Sequence, residues 1–128
     1  MVHERAKVYD NVVITGSAKV YGDAKVSDSA DISGHANVYG TVIINNIIRI
    51  EARSDVSSSL HYLLIGPIGS RNDYTTFSKS KDGKIFVACG CFNGTLEEFE
   101  KAVKKTHKGT YHEKVYMDAI TFVKRTFS

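Results

Sequence analysis

The 128-residue chain has little of two features that define whole classes of protein: cysteine and long hydrophobic runs. Its 2 Cys provide no disulfide framework, which favours a reducing compartment. No apolar run approaches the ~20 residues that a membrane-spanning helix needs. The two longest candidates, 42–50 and 60–68, are interrupted by polar residues, glycine or proline. The first five residues have no apolar stretch behind them, so we expect no secretory signal and a cytoplasmic protein.

The chain also has little excess charge of either sign, because its net charge is only +3. Residues 1–64 hold 6 Lys/Arg against 7 Asp/Glu, whereas residues 65–128 hold 11 against 7. The basic excess therefore belongs to the second half of the chain. It is too small to predict nucleic acid as a partner.

A strict six-residue repeat dominates the first half. One position is small or aliphatic in every unit: Ala6, Val12, Ala18, Ala24, Ala30, Ala36 and Val42. Two places later the residue is always aliphatic: Val8, Ile14, Val20, Val26, Ile32, Val38 and Ile44. Turn formers come two places after that: Asp10, Gly16, Gly22, Asp28, Gly34 and Gly40. An amphipathic helix would repeat every 3.6 residues, so this period predicts short strands with two inward side chains, separated by bends.

The segment 6–44 resembles the hexapeptide-repeat family, whose fold is a left-handed parallel β-helix with six residues on each face of a triangular coil. The resemblance implies that residues eighteen apart stack, with Tyr21 beneath Tyr39 and Val8 beneath Val26. The array has little more than two coils, and repeat proteins need several units and caps. We therefore expect capping by the second half, by self-association, or by both. Because proteins of this family are commonly trimers, we predict a homotrimer.

A different pattern begins at Leu60 and predicts strands. Segments 61–65, 74–78 and 84–88 are β-prone, and the last two flank Asp82–Gly83, a tight hairpin signal. Gly66–Pro67 is expected to end the first strand.

Two helices are expected after these strands. Thr95 and Glu98 have the spacing of a capping box, and Leu96, Phe99 and Val103 then share one helix face. A second helix is expected after Gly109, with an inward face formed by Val115, Tyr116, Ala119, Ile120 and Val123.

The predicted fold is mainly β with α. A short left-handed parallel β-helix occupies residues 1–50, a linker 51–60, and a small α+β domain of order β-β-β-α-α residues 61–128. The helices are expected to cover one face of the sheet.

Two glycine-bearing loops, 66–71 and 90–94, suggest a ligand site. If strands 74–78 and 84–88 are antiparallel, both loops emerge at the same end of the sheet, and the second leads into the capped helix. Serine and arginine side chains suit phosphate or carboxylate, and aromatic rings stack on bases. The candidate residues for an anionic small ligand, with a nucleotide as one such ligand, are Gly69, Ser70, Arg71, Tyr74, Gly90, Cys91, Phe92, Asn93 and Thr95. The alternative is that the glycines serve turns and Arg71 pairs with a local carboxylate.

Catalytic and metal chemistry have weaker support. Cys91 precedes a helix start, where a thiolate is stabilised, but nothing in the spacing brings His107 or His112 to it, so a small buried thiol is preferred. Cys89 and Cys91 have no second Cys/His pair to complete a tetrahedral metal site. We predict no catalytic residue, no metal and no cofactor.

The resemblance also allows enzyme activities to be weighed. Hexapeptide-repeat acyltransferases generally use a histidine base, and the family's carbonic anhydrases need three histidines around a metal. The array contains only His35, which is expected to be exposed at a corner. The resemblance therefore covers the fold and not an active site.

The stretches GPIGSR and GCFNGTLEEF resemble an uncharacterised domain attached to hexapeptide repeats in bacterial and phage proteins. Small phage proteins of this kind are sometimes counter-defence factors, including binders that sequester nucleotide immune signals. The function that we predict is a non-catalytic oligomer that binds an anionic small ligand of this type in the cytoplasm of a bacterial or phage-infected cell. A hexapeptide-type acyltransferase and a trimeric inhibitor of a host protein remain alternatives.

Overall fold

The computed structural model describes residues 2–44, 48–51, 53–68, 73–90 and 92–127. Its first part consists of two-residue strands at the six-residue period, which we call the coil segment. Within the described residues the strands are β1 (Lys7–Val8), β2 (Val13–Ile14), β3 (Lys19–Val20), β4 (Lys25–Val26), β5 (Asp31–Ile32), β6 (Asn37–Val38), β7 (Ile43–Ile44), β8 (Arg49–Ile50) and β9 (Asp55–Val56).

These strands form three parallel sheets, in the orders β1-β4-β7, β2-β5-β8 and β3-β6-β9. Val8 pairs with Val26, and Val26 pairs with Ile44, so the predicted eighteen-residue stacking is confirmed. The rings of Tyr21 and Tyr39 are likewise stacked, with centroids 5.0 Å apart and planes 4° from parallel. Aliphatic side chains fill the interior, and the segment is a stack of parallel β-helix-like coils.

The bends adopt left-handed backbone conformations at the same period of six. Positive φ angles, from 59° to 71°, occur at Glu4, Asp10, Gly16, Gly22, Asp28, Gly34 and Gly40. Glycine adopts this region without steric cost, and aspartate tolerates it better than most residues. The turn formers of the repeat therefore mark the corners of the coils.

The coil segment continues beyond the part predicted from the sequence. Strand β9 lies inside residues 51–60, where a linker was expected, and pairs with β6 through Val38 and Val56. The six-residue register in fact runs on, with Ser54 in the small position and Val56 in the aliphatic one. The serines in this segment have the composition of a loop, and for that reason the third coil was not predicted there.

The second part is an antiparallel sheet followed by two helices. After a 3₁₀ turn at Ser59–His61 come β10 (Tyr62–Ile68), β11 (Asp73–Lys79), β12 (Ile85–Cys89), β13 (Phe92–Thr95), α1 (Leu96–Thr106) and α2 (Tyr111–Thr126). The strands are neighbours in chain order, and we call them the C-terminal sheet. Neither described helix has the length and apolarity that crossing a membrane requires.

The predicted order β-β-β-α-α lacks one strand. Residues 92–95 pair with β12 as an edge strand, for example through Asn93 and Ala88, although asparagine and glycine are poor strand formers. The first strand also does not end at Gly66: β10 runs to Ile68, with a shift of register between Ile65 and Ile68. Backbone pairing with the neighbouring strand overrides local propensity in both places.

The C-terminal sheet lies between the coil segment and the helices. On one face, Phe77 and Val87 pack against the buried helix residues Leu96, Phe99, Val103, Tyr116, Ile120 and Val123. On the other face, Tyr62 and Leu64 pack against the interior of the coils. The prediction that the helices cover one face of the sheet is therefore confirmed.

The sheet also caps the third coil, at a boundary that we call the seam. The backbone N–H of Arg49 donates to the Thr76 hydroxyl at 3.1 Å. The buried hydroxyls of Ser54 and Ser78 are 2.6 Å apart, and Ser54 bridges to Ser80. One of the expected forms of capping, by the second half of the chain, is therefore present.

The opposite end of the coil segment is open. Ala24, Val26, Ala30 and Ile32 of the second coil are fully buried, whereas their counterparts Ala6, Val8, Val12 and Ile14 in the first coil are only partly buried. Among the described residues, Val2 and His3 pair with Val20 at this end, whereas β1 and β2 are edge strands with no neighbour on that side.

Candidate functional site

The two predicted ligand loops leave the C-terminal sheet at the same end, which we call the turn end. Ile68 pairs with Asp73, Thr75 pairs with Cys89, and Cys89 pairs with Phe92, so the strand ends that flank 69–72 and 90–91 lie at the same end of the sheet. This part of the sequence-based prediction is confirmed by the strand register. The candidate residues Gly69, Ser70, Arg71 and Cys91 lie outside the described residues, while Gly90 ends the described part of the second hairpin before its turn.

The aromatic candidates Tyr74 and Phe92 lie on opposite faces of the sheet. Side chains alternate along a strand, so Tyr74 shares the face of Thr76, which touches the coil segment. Phe92 pairs with Cys89 on the helix side, and its ring lies 5.3 Å from that of Phe99. The two rings therefore cannot stack together on one ligand, as the sequence had suggested. Phe92 belongs to the helix-side core.

Asn93 and Tyr74 lie on the same face. Asn93 pairs with Ala88, which pairs with Thr76, so alternation places it on the side of the coil segment. Asn93 is exposed, and Tyr74 is 39% exposed. Both side chains are therefore at least partly exposed, on the face of the sheet that also meets the coil segment.

Thr95 is separated from the turn end. It pairs with Phe86, three residues along β12 from the pairing of Cys89 with Phe92, which corresponds to about 10 Å. Its hydroxyl accepts from the Glu98 N–H at 3.2 Å, and Glu98 Oε1 accepts from the Thr95 N–H at 2.8 Å. The predicted capping box is confirmed, and these bonds hold the pKa of Glu98 below its usual value. Because β13 runs away from the turns, the start of α1 does not join them.

The other end of the α1–α2 hairpin does reach the turn end, on the helix side. The imidazole of His107 stacks on the Tyr116 ring at 5.6 Å and lies 5.6 Å from the imidazole of His112. The Tyr116 hydroxyl is 3.9 Å from Cys89 Sγ, to which the Thr75 hydroxyl donates at 3.1 Å. The described thiol near these histidines is therefore that of Cys89, whereas the sequence had suggested Cys91 as the candidate. Its position at the end of a core strand was the available signal.

The residues of this helix-side cluster give little support for a metal site or for catalysis. In the part of the chain that the structure describes, no three His, Cys, Asp or Glu side chains are arranged to hold a metal ion. Among the described residues, no imidazole nitrogen forms a hydrogen bond with the Cys89 thiol, as a nucleophile–base pair would require. His35 is exposed at a corner of the second coil, as expected.

The structure also contains a polar cluster near the seam that the sequence did not predict. Arg49 pairs with Asp31 on the coil before it, and Glu51 directly follows the end of the strand that contains Arg49. Nη2 of Arg49 and Oε2 of Glu51 are buried without a hydrogen-bond partner among the described residues. Burial is the main reason that the pKa of Glu51 is raised; the charge of Asp31 adds to the effect and that of Arg49 opposes it. The sequence signal was the polar residues Arg49 and Glu51 between aliphatic ones on the last coil.

The chain was also compared with known proteins. No protein-family model, curated protein or solved structure matches it.

Proposed function

We propose that this protein is a non-catalytic, self-associating protein that binds an anionic small molecule, and that a nucleotide is the ligand class that its side chains suit best. The observation that carries the proposal is the strand register, which brings the strand ends flanking both glycine-bearing segments to the turn end. In this proposal the phosphate is held by turn amides, by the Ser70 hydroxyl and by the Arg71 guanidinium, which can form a bidentate pair with it.

The described residues refine the proposed ligand set. Tyr74 and Asn93 share one accessible face and are retained as contacts, together with Gly69, Ser70, Arg71, Gly90 and Cys91. Phe92 and Thr95 are removed from the set, because the first packs on Phe99 and the second caps α1. The ligand is therefore proposed to lie on the coil side of the sheet.

We also propose that the coils have the left-handed winding of the hexapeptide-repeat family and that the protein is a homotrimer. Left-handed corner residues every six positions and the eighteen-residue register support the family assignment. Exposed apolar side chains on the coil faces, Tyr9, Val13 and Ile43, support self-association. Light scattering should give the mass of three chains, and a mass near one chain would contradict the trimer.

The biological role that we propose is sequestration of a nucleotide immune signal by a phage counter-defence protein in the cytoplasm of the infected cell. Its support is the resemblance of 66–71 and 90–99 to a domain attached to hexapeptide repeats in bacterial and phage proteins. The role requires binding of a signalling nucleotide without its hydrolysis, and the experiment below measures the binding.

The test is a thermal-shift screen followed by calorimetry, with mononucleotides, cyclic nucleotides and acyl-CoA. A bound nucleotide at 100 times its Kd should stabilise the fold by about 2.7 kcal/mol. The gain should disappear in Arg71→Ala and persist in Arg5→Ala, which removes an exposed arginine from the open end of the coil segment.

The other outcomes favour other functions. If no anion raises the Tm, small-ligand binding is wrong. Histidine-dependent acyl transfer from acyl-CoA would favour the acyltransferase, and His35→Ala tests that dependence. Capture of a defined host protein without any ligand stabilisation would favour the inhibitor.

A further inference from the structure

Three backbone positions at the open end of the coil segment are unpaired on their outer side. The Tyr9 N–H donates to the Val26 carbonyl at 3.1 Å, and the same bond recurs on the other two faces. In the first coil the equivalents of that carbonyl belong to Val2, Val8 and Ile14, one on each face. Successive residues of a strand direct their N–H and C=O groups to opposite sides. These three residues therefore direct both groups outward, where the described chain has no strand.

The same end exposes apolar surface. Val26 and Ile32 of the second coil are fully buried, whereas Val8 and Ile14, at the same positions of the first coil, are only partly buried. Val2 is exposed. Apolar surface next to unpaired strand edges is the combination that pairs with further strands.

The shape and charge of this end fit a second copy of the same end. The coil segment has a strand on each of three sides, so an equivalent coil end presents a strand to each of them. The charged residues of the first coil are all exposed and are two acidic and two basic side chains, Glu4, Arg5, Lys7 and Asp10. Two copies of a surface with no net charge do not repel one another as two surfaces of one sign do.

The other end of the coils does not compete for this contact. It is covered by the C-terminal sheet through the hydrogen bonds of the seam. An open end therefore finds its match in another open end, and a two-fold axis across the coils relates the two. This arrangement is closed and does not grow into a filament. Facing strands are then antiparallel, so an outward residue can donate to and accept from the same partner strand.

We propose that two copies of this protein join head to head through their open ends, adding strand to strand around their first coils. This interface goes beyond the proposed function and is separate from the coil faces that the proposed homotrimer uses. Combined with the homotrimer it gives an assembly of six chains, and alone it gives two.

The strength of this contact rests on the proposed homotrimer. A side of six residues spans at most about 20 Å, so one coil end offers much less than the about 800 Å² per partner that stable complexes bury. Three ends held side by side in a trimer act together and bind more tightly than one. The number of chains should therefore depend on protein concentration.

Light scattering and sedimentation of the full chain over a wide range of concentrations test the proposal. We expect the mass of six chains at high concentration. Val8→Lys should halve it, because a lysine can extend to solvent through an open end but would be enclosed with its symmetry mate in a joined one. Val2→Pro should also halve it, because it removes an outward N–H at an exposed edge. Leu60→Lys, at an exposed position beyond the third coil, is the matched control and should keep the mass.

Amide hydrogen exchange gives a second measurement. In the assembled wild type, the outward amides of Val8 and Ile14 should be protected, because they pair with the second copy. In Val2→Pro they should exchange about tenfold faster or more, as unpaired edge amides do. Exchange of the Val26 amide, inside the stack of coils, should not change. Equal exchange of Val8 and Ile14 in the wild type and the variant contradicts the pairing.

The other outcomes separate this contact from the homotrimer. A mass of three chains that neither variant changes refutes the head-to-head contact and leaves the homotrimer standing. A mass of two chains that both variants reduce to one supports the contact and refutes the homotrimer. A mass of one chain at every concentration refutes both. CD spectra identify a variant that fails to fold, and six chains retained in folded Val2→Pro and Val8→Lys refute the head-to-head contact.

Discussion

Gly22 has two independent reasons to be glycine. Its φ of +69° lies in the left-handed region, and a Cβ there would come within 3.0 Å of the backbone nitrogen of Gly40 on the next coil. That nitrogen is part of the stacked corner and has little freedom to move. Gly109, between the helices, has a similar φ of +74° but nothing within 4 Å of a Cβ.

The pair separates conformational strain from contact between coils. We expect Gly109→Ala to lower the free energy of unfolding by about 1 kcal/mol, the cost of a left-handed alanine. Gly22→Ala should cost about 1–3 kcal/mol more, because overpacking is added to the same strain. Urea unfolding of both variants measures the difference, and equal losses would show that the coils separate readily.

Glu51 gives the stability a pH dependence of known sign. Its pKa is raised in the folded state, so folding makes the ionised form less favourable, and this penalty is present above the folded pKa. As pH falls through that pKa the penalty is relieved. Glu51→Gln should therefore be more stable than the wild type at pH 7 and lose that advantage towards pH 4.

Unfolding experiments across this range measure the dependence. Asp31→Asn provides a second comparison, because Asp31 contributes the smaller of the two effects that raise this pKa. The pH dependence should shrink in that variant without vanishing. An advantage of Glu51→Gln that is constant with pH contradicts the assignment.

Among the elements, α1 depends on its first turn. Thr95 and Glu98 exchange both hydrogen bonds of the capping box, and Lys104 and Lys105 lie in the last turn. Thr95→Ala should lower the free energy of unfolding by about 1 kcal/mol, whereas Thr95→Ser should retain most of it. Thr106→Ala at the exposed other end of α1 is the control, and chemical denaturation measures all three.

The elements also show how far the sequence predicts the fold. Local sequence signals were sufficient to predict β1 to β7 and both helices, because the period of six and the capping box are patterns that can be recognised within a few consecutive residues. They failed for β9, where serines surround Val56, and for β13, where Asn93 and Gly94 disfavour a strand. Both strands form because a neighbouring strand pairs with them: β6, eighteen residues earlier, pairs with β9, and β12 pairs with β13.

The candidate site was less predictable than the elements for a related reason. The hairpin signal at Gly83 correctly predicted that the strand ends flanking both turns lie at one end of the sheet. It could not place Tyr74 and Phe92 on opposite faces, because the predicted loop around Phe92 is a strand with its own alternation. The seam cluster depends on contact between the two halves of the chain, for which the sequence carries no local signal.

For the whole molecule, the seam should make the coil segment and the C-terminal sheet unfold together. Ser54 is fully buried and donates to the Glu51 carbonyl at 2.7 Å while sharing a hydrogen bond with Ser78. Ser54→Ala leaves the Ser78 hydroxyl unpaired and should cost about 1–3 kcal/mol. The double variant with Ser78→Ala should cost less than the sum of the two single ones.

Two spectroscopic signals test the cooperativity. Near-ultraviolet CD reports all the ordered tyrosines, and the difference between the wild type and Tyr39→Leu isolates the signal of the stacked Tyr21 and Tyr39, whereas far-ultraviolet CD follows the helices. The two unfolding curves should coincide in the wild type and shift together in Ser54→Ala. Ser17→Ala, at an exposed corner, should shift neither, and separate transitions would show that the halves are independent.

The open first coil gives the molecule a mechanical direction. A pulling force applied at the N-terminus meets strands held on one side only, by bonds such as Lys7 N–H to Ala24 and Tyr9 N–H to Val26. Each detached coil frees eighteen residues, which extend to about 60 Å of contour length. Force applied to the other end of the coils acts first on the seam and the sheet beyond it. Under force applied at the N-terminus, the coils should therefore detach one at a time in regular steps. Under force applied at the C-terminus, the seam and the C-terminal sheet should resist together.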